Sequence, residues 1–291
     1  MVSRYIDPTT DFGFKRLFGQ EDSKEILKRF LFDVLDLSHP IRELSYLPIE
    51  QLPLTPEERR SIYDVYCLDE AGQRFIVEMQ RGWQMNFKER SLYYSTFPIT
   101  HQAEKGHQWG YELLPIYCLA ILNFQMEDDA RYVRRVQLAD VETGEIFYDK
   151  LTFVFIELPK FERTLAELTT AADKWIYLLK RMPELQDIPA ELAEAPFTEA
   201  FATAEQSALS PQERWVYEAS LKRARDYTAT LKGAEWKGHE KGLKEGREEG
   251  REETQKEIAR SMLAQGLDTA LIAELTNLSE AEVAALRPDE T

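Results

Sequence analysis

The chain has 291 residues, a formal net charge of −16, 43% hydrophobic residues and 11% aromatic residues. That length suits one large domain with an appendage, or two modest domains. The apolar content excludes a wholly disordered chain. The acidity counts against nucleic-acid binding, yet it is unevenly spread. No Lys or Arg lies between Arg181 and Arg214, where Glu184, Asp187, Glu191, Glu194, Glu199, Glu205 and Glu213 accumulate. Much of the excess can therefore sit away from a functional site.

The opening MVSRYIDPTTDFGF has no apolar stretch after its positive charge, so no signal peptide is expected. No run of about 18 apolar residues suggests a spanning helix, and the expected setting is the cytoplasm, with no membrane partner. Cys67 and Cys118 stand in apolar runs and are expected as buried free thiols rather than a disulfide.

In chain order, Ile26, Leu27, Phe30, Leu31, Val34 and Leu35 recur at helical spacing over residues 21–37. Residues 41–49 read as a first strand, closed by the Pro-rich QLPLTPEE. Residues 61–68 and 74–80 are two more strands, joined by the turn-like Asp69-Glu70-Ala71-Gly72-Gln73. Residues 86–105 make a long helix, in which Pro98 predicts a kink or break. Residues 115–124 are almost wholly apolar, as expected of a strand buried on both sheet faces. A polar hairpin at Glu142-Thr143-Gly144 leads to a second apolar strand over residues 152–158. Strands flanked by helices imply an α/β fold with a mixed central sheet, followed by an all-helical C-terminal tail.

The tail divides further. We expect a compact domain over residues 1–210, a charged segment over 211–256 and a small helical cap over 257–291. The charged segment carries Gly238, Gly242, Gly246 and Gly250 in four-residue steps. Each glycine costs about 1 kcal/mol inside a helix, so the segment is either a flexible tether or a helix that another helix approaches closely. The cap reads as helix, Gly266, short helix, Asn277, short helix, with Ser279 as an N-cap. It has a helix-turn-helix outline, but beyond Ser261 its only basic residue is Arg287. A DNA reader needs cations for phosphate contacts, which favours a protein-interaction cap.

Strand alternation gathers the chemistry. Glu78 and Gln80 share one face of the 74–80 strand with Ile76. If residues 69–73 are the hairpin loop, Leu68 faces Arg74, and counting outward puts Asp64 opposite Glu78. Two facing carboxylates in an apolar sheet repel. A shared proton, a basic neighbour or a divalent cation can compensate. Alternatively, a one-residue slip in register turns one acid to solvent. Mg²⁺ held by one or two carboxylates, a carbonyl and waters fits the geometry.

The order helix, strand, strand with Asp, turn, strand ending in Glu-x-Gln, long helix resembles the PD-(D/E)XK nuclease superfamily. More closely, the chain resembles the Rpn-like family of recombination-promoting nucleases and transposases. The segments that carry the likeness are TTDFGFKRLFG (9–19), YDVYCLDEAGQRFIVEMQ (63–80), RSLYYS (90–95) and FIELPKF (155–161). The resemblance implies a restriction-endonuclease-like sheet and a metal-dependent endonuclease acting on DNA, linked to recombination or mobile elements. It implies Asp64 and Glu78 as carboxylate ligands of Mg²⁺ or Mn²⁺, with the Met79 backbone carbonyl completing the protein ligands. Gln80 occupies the position of the superfamily lysine. A neutral amide can orient water but supplies no charge, which puts turnover in doubt. Asp11 could add an acid, and Lys15, Lys88 or Arg90 could replace the missing cation; an N-terminal helix acid and ordinary surface cations are the competing readings. Tyr93 and Tyr94 either line a nucleic-acid groove or fill core.

Competing chemistries find little support. His39, His101, His107 and His239 lack metal-ligand spacing, and no GxGxxG or Walker-type loop is present. The alternative of another class is a catalytically weak DNA-binding or protein-interaction module. On either reading, self-association through the C-terminal tail is the expected route to a homo-oligomer.

Overall fold

The computed structural model describes residues 3–51, 61–102 and 110–286. Most of the Pro-rich loop, the last residues expected in the 86–105 helix, and Arg287 lie outside them. The chain divides into two compact units, residues 1–225 and 226–291.

In the first unit, helices α1 (Asp11–Phe18) and α2 (Lys24–Leu35) precede strand β1 (Leu44–Tyr46). The strand expected over 41–49 shrinks to those three residues, and a short ladder β2 (Glu50–Gln51) with β3 (Ser61–Ile62) follows. Then come β4 (Val65–Asp69), β5 (Arg74–Gln80), α3 (Phe87–Thr100), β6 (Ile116–Leu122), β7 (Val133–Ala139) and β8 (Ile146–Glu157). Helices α4 (Ala171–Arg181), α5 (Phe197–Ala204) and α6 (Pro211–Ala264) complete it, the last running on past residue 225.

The six-stranded sheet has the order β1-β4-β5-β6-β8-β7. Strands β5, β6 and β8 are mutually parallel, while β1, β4 and β7 join antiparallel. The mixed α/β architecture is thus as the sequence implied. Central β6 is nearly all apolar because both its faces are covered. Leu119 and Ile121 join the core under α1, α2, α4 and α5. Cys118, Ala120 and Leu122 join the core on the α3 side. Both cysteines are free and buried.

Helix α3 continues through Pro98 to Thr100 rather than stopping before it. A proline leaves the carbonyl four residues earlier without its helical donor. Here that carbonyl belongs to Tyr94, and the Tyr63 hydroxyl donates to it at 2.8 Å. A hydroxyl from the segment between β3 and β4 thus makes good the missing N–H.

The opening turns of α6 belong to the first unit. Tyr217, Ser220 and Ala224 are buried. The Asp7 amide donates to the Tyr217 hydroxyl at 2.8 Å, and the Phe12 amide donates to Ser220 Oγ at 3.3 Å.

In the second unit, α6 ends at Ala264, and α7 (Thr269–Thr276) and α8 (Glu280–Ala285) follow. Gly266 and Asn277 take positive φ of 79° and 62°, and Ser279 caps α8 by accepting from the Glu282 amide, as expected. Ala259, Ile272 and Val283 are buried at the centre, with Met262, Leu263, Leu267 and Leu278 packed around them. The segment with the four-step glycines is helical. Among the described residues, a Cβ built at Gly238, Gly242, Gly246 or Gly250 would meet nothing within 4 Å, so no close approach there calls for glycine. No helix among the described residues is long and apolar enough to cross a membrane.

Candidate active site

The β4–β5 hairpin has the expected register, with Leu68 opposite Arg74 and Val65 opposite Val77. The ladder then stops one row short of Asp64. The strand expected over 61–68 is broken there, because Tyr63 and Asp64 leave extended pairing between β3 and β4. The reason lies in the acid itself: Asp64 Oδ2 accepts from the Met79 amide at 2.8 Å, taking up a donor near the end of β5. The carboxylate is thereby tied to the strand that carries Glu78.

Glu78 is only 8% exposed, on the α3 face beside Ala120 of β6. Its Oε2 accepts from Gln80 Nε2 at 2.9 Å and lies 3.8 Å from Arg90 Nη2. Its Oε1 is buried with no hydrogen-bond partner among the described residues. Burial first, then the charge of Asp64, push the Glu78 carboxyl up from 4.5 to about 7, against the pull of Gln80 and Arg90. Asp64 is also raised, chiefly by burial; the Met79 N–H, Lys15 and Arg90 oppose the rise and Asp11 adds to it. A cavity of about 20 Å³ beside Glu78 is bordered by Arg90, Tyr94, Cys118 and Ala120, room for about one water.

The structure therefore gathers most of the expected residues. Asp11 and Lys15, an ion pair at 2.7 Å on α1, lie within electrostatic reach of Asp64. Arg90 reaches both acids from α3. Lys88 does not join them: its Nζ pairs with Glu127 at 2.5 Å. Two residues along a helix turn through about 200°, so Lys88 and Arg90 point to different sides. Of the two tyrosines, Tyr94 borders the cavity and takes the Arg90 guanidinium over its ring, whereas Tyr93 packs edge-on against Phe97.

Other residues were missed. Arg81 Nη1 donates to Thr9 Oγ1 at 2.9 Å and lies 3.5 Å from Asp7, clamping the end of β5 to the turn before α1. That turn needs Gly13, since a Cβ there would stand 2.0 Å from the Asp7 carbonyl oxygen. Glu157, fully buried, accepts from the Met126 amide at 2.6 Å and pairs with Lys160 at 2.8 Å. The only sequence signal was an acid closing an apolar strand, followed by a lysine three residues on.

Comparison with known proteins adds the family. Residues 8–234 match the model of the PD-(D/E)XK nuclease family transposases, which covers most of the chain. The chain belongs to that family. Residues 252–288 match the C-terminal HTH domain of the Rpn/YhgA-like nuclease family. This corrects the preference for a protein-interaction cap: the terminal helices are a helix-turn-helix domain by family, however few its cations. No curated protein and no solved structure matches the chain.

Nucleases of the PD-(D/E)XK class generally use divalent metals, and the residues here fit one. Among the described residues no group of three or more His, Cys, Asp or Glu side chains forms a metal cage. The donors on hand are instead two mutually repelling carboxylates, Asp64 half-buried and Glu78 buried, the latter with an orphan oxygen. A hard cation that keeps several waters suits such a sparse set.

Proposed function

We propose that this chain is a Mg²⁺- or Mn²⁺-dependent DNA endonuclease whose metal is held by Asp64, Glu78 and the Met79 carbonyl. The observation that carries the reading is the orphan Oε1 of Glu78, buried beside a second acid. Leaving a buried carboxylate oxygen unpaired costs stability, and a site retired from chemistry has no reason to retain it.

A divalent ion bound there would polarise the scissile phosphodiester and acidify an attacking water. The chain's own residues do the rest. Gln80 fixes the Glu78 carboxylate by donating to Oε2, leaving Oε1 for the ligand. Arg90 supplies the positive charge that Gln80 lacks, from 3.8 Å. Asp64 is held to β5 by the Met79 amide on its Oδ2. Lys15, paired with Asp11 on α1 and within electrostatic reach of Asp64, adds a second cation to offset developing negative charge. The helix-turn-helix domain suits an enzyme recruited to DNA, in recombination or at mobile elements.

The test is plasmid cleavage with Mg²⁺ or Mn²⁺. Wild type should nick or linearise the plasmid, while Asp64→Ala and Glu78→Ala should fall to background with unchanged circular dichroism. Full activity in either variant overturns the site.

The weak-module alternative rests on Gln80 and the net charge of −16. It predicts DNA binding without cleavage in wild type. We further propose that α6 mediates self-association, because its four glycines leave a stripe that nothing among the described residues fills.

A further inference from the structure

Between Gln80 and α3 the chain runs through Gly82-Trp83-Gln84-Met85-Asn86, a segment pinned at both ends. Gly82 is buried, and Phe87 is buried against Phe124 and Phe155. Asn86 takes a left-handed φ of 60° to make the corner. Gln84 accepts a hydrogen bond from Arg90, the residue 3.8 Å from Glu78, so a single side chain links this segment to the carboxylate pair. Chain reach says the same: Trp83, three residues past Gln80, lies within about 11 Å of it at Cα.

Anchored in this way, the segment nevertheless holds its two largest apolar side chains out. Trp83 is 57% exposed and Met85 77% exposed. A tryptophan and a methionine held in water beside a nuclease site forgo the stabilisation that burial would give them.

The cations nearby are already engaged. Arg81 is on Thr9 and Asp7, Lys88 on Glu127, and Arg90 between Gln84 and Glu78. In a chain of net charge −16, phosphate contacts are a poor source of affinity at this site. Exposed aromatic and thioether surface recognises something else on a nucleic acid, the faces of bases that are not stacked in a duplex.

We propose that Trp83 and Met85 form a base-stacking platform that directs the site to DNA with unpaired bases, single-stranded or gapped, in preference to intact duplex. The platform deepens the nuclease reading and rests on it for its position beside the scissile bond. Bases flanking the cleavage point stack on the indole and against the Met85 side chain. Duplex, with its bases already stacked, cannot use either without being opened.

The experiment measures fluorescence anisotropy of labelled single-stranded, gapped and fully paired DNA of one sequence. The full-length Glu78→Gln chain is used with Ca²⁺, so that binding is read without cleavage. Single-stranded and gapped DNA should bind about tenfold or more tighter than duplex. Adding Trp83→Ala should remove most of that preference and leave duplex affinity unchanged, whereas Trp83→Phe should keep it. Because stacking is not a counterion effect, the preference should widen as salt is raised. Equal binding of paired and unpaired DNA overturns the platform. So does undiminished binding of unpaired DNA by the Trp83→Ala chain, or no binding of any DNA.

Cleavage by the otherwise wild-type chains separates the two claims. Trp83-dependent binding with no cleavage of any substrate leaves the platform standing and removes the nuclease. Cleavage of all substrates alike, indifferent to Trp83→Ala, does the reverse.

Discussion

Glu78→Gln should stabilise the metal-free protein, and by an amount that depends on pH. Burial and Asp64 raise the Glu78 carboxyl from 4.5 to about 7 in the folded state. A carboxyl raised on folding contributes stability that is fully present below its unfolded value of about 4.5. That contribution is lost as pH climbs through the folded value, because the native state must then hold an unwelcome charge. At about 1.4 kcal/mol per pH unit, the penalty in wild type reaches roughly 3 kcal/mol by pH 8, nearly all of it accumulating between pH 4.5 and 7. Glutamine keeps the shape and still accepts from Gln80, but cannot ionise. For a unit of 225 residues, each kcal/mol moves the midpoint by about 2–4 °C. The variant should therefore melt about 6–12 °C above wild type at pH 8 in chelator, and close to it at pH 4.5. Melts followed by circular dichroism across this range supply the test. Adding Mg²⁺ at pH 8 should raise wild type and leave the variant nearly unmoved. Parallel pH profiles for the two proteins would refute the argument that burial and repulsion strain this carboxylate.

Gln80→Ala should reduce cleavage about 10–100-fold, the usual cost of losing a partner that orients a ligand, and less than Glu78→Ala; equal loss in both would mean that Gln80 does more than position Glu78. Gly13→Ala should destabilise the first unit by about 1–3 kcal/mol or more, since its Cβ would stand 2.0 Å from the Asp7 carbonyl oxygen; a denaturant melt with an unshifted midpoint would contradict that contact. Ending the chain at Ala234 should convert an oligomer to a folded monomer. Light scattering that gives the same number of chains per particle with and without the tail would remove α6 from the interface.

Much of this was legible because strands obey a period of two. Alternation put Glu78 and Gln80 on one face, and the five-residue loop set the register of Leu68 on Arg74, from which counting outward led to Asp64 at the same end of the hairpin. The apolar run at residues 115–124 similarly announced a strand covered on both sides, found at Ile116–Leu122. What the pattern could not show were side chains acting in place of backbone. Nothing in SIYDVYCL says that Asp64 will end its own ladder by taking the Met79 amide. Nor does it say that Tyr63 will satisfy the carbonyl that Pro98 releases on a different element. Arg81 was overlooked because its partners, Asp7 and Thr9, are some seventy residues away and no local spacing links them. Charge misled in one place. The terminal helices are poor in cations, yet their caps and turns were enough to predict the shape that the family match names.

The bonds that close the first unit also set when it can be finished during synthesis. The Ile6 amide donates to the Ala204 carbonyl, Asp7 to Tyr217 and Phe12 to Ser220. These partners lie some two hundred residues downstream, so the turn that presents Asp11 and Lys15 cannot be locked until almost the whole unit has left the ribosome. A chain made N-terminus first therefore assembles its hairpin acids early and its α1 cations late. A nascent or truncated product would carry Asp64 and Glu78 with the α1 clasp still open, and on the function proposed above it would be a nuclease not yet complete.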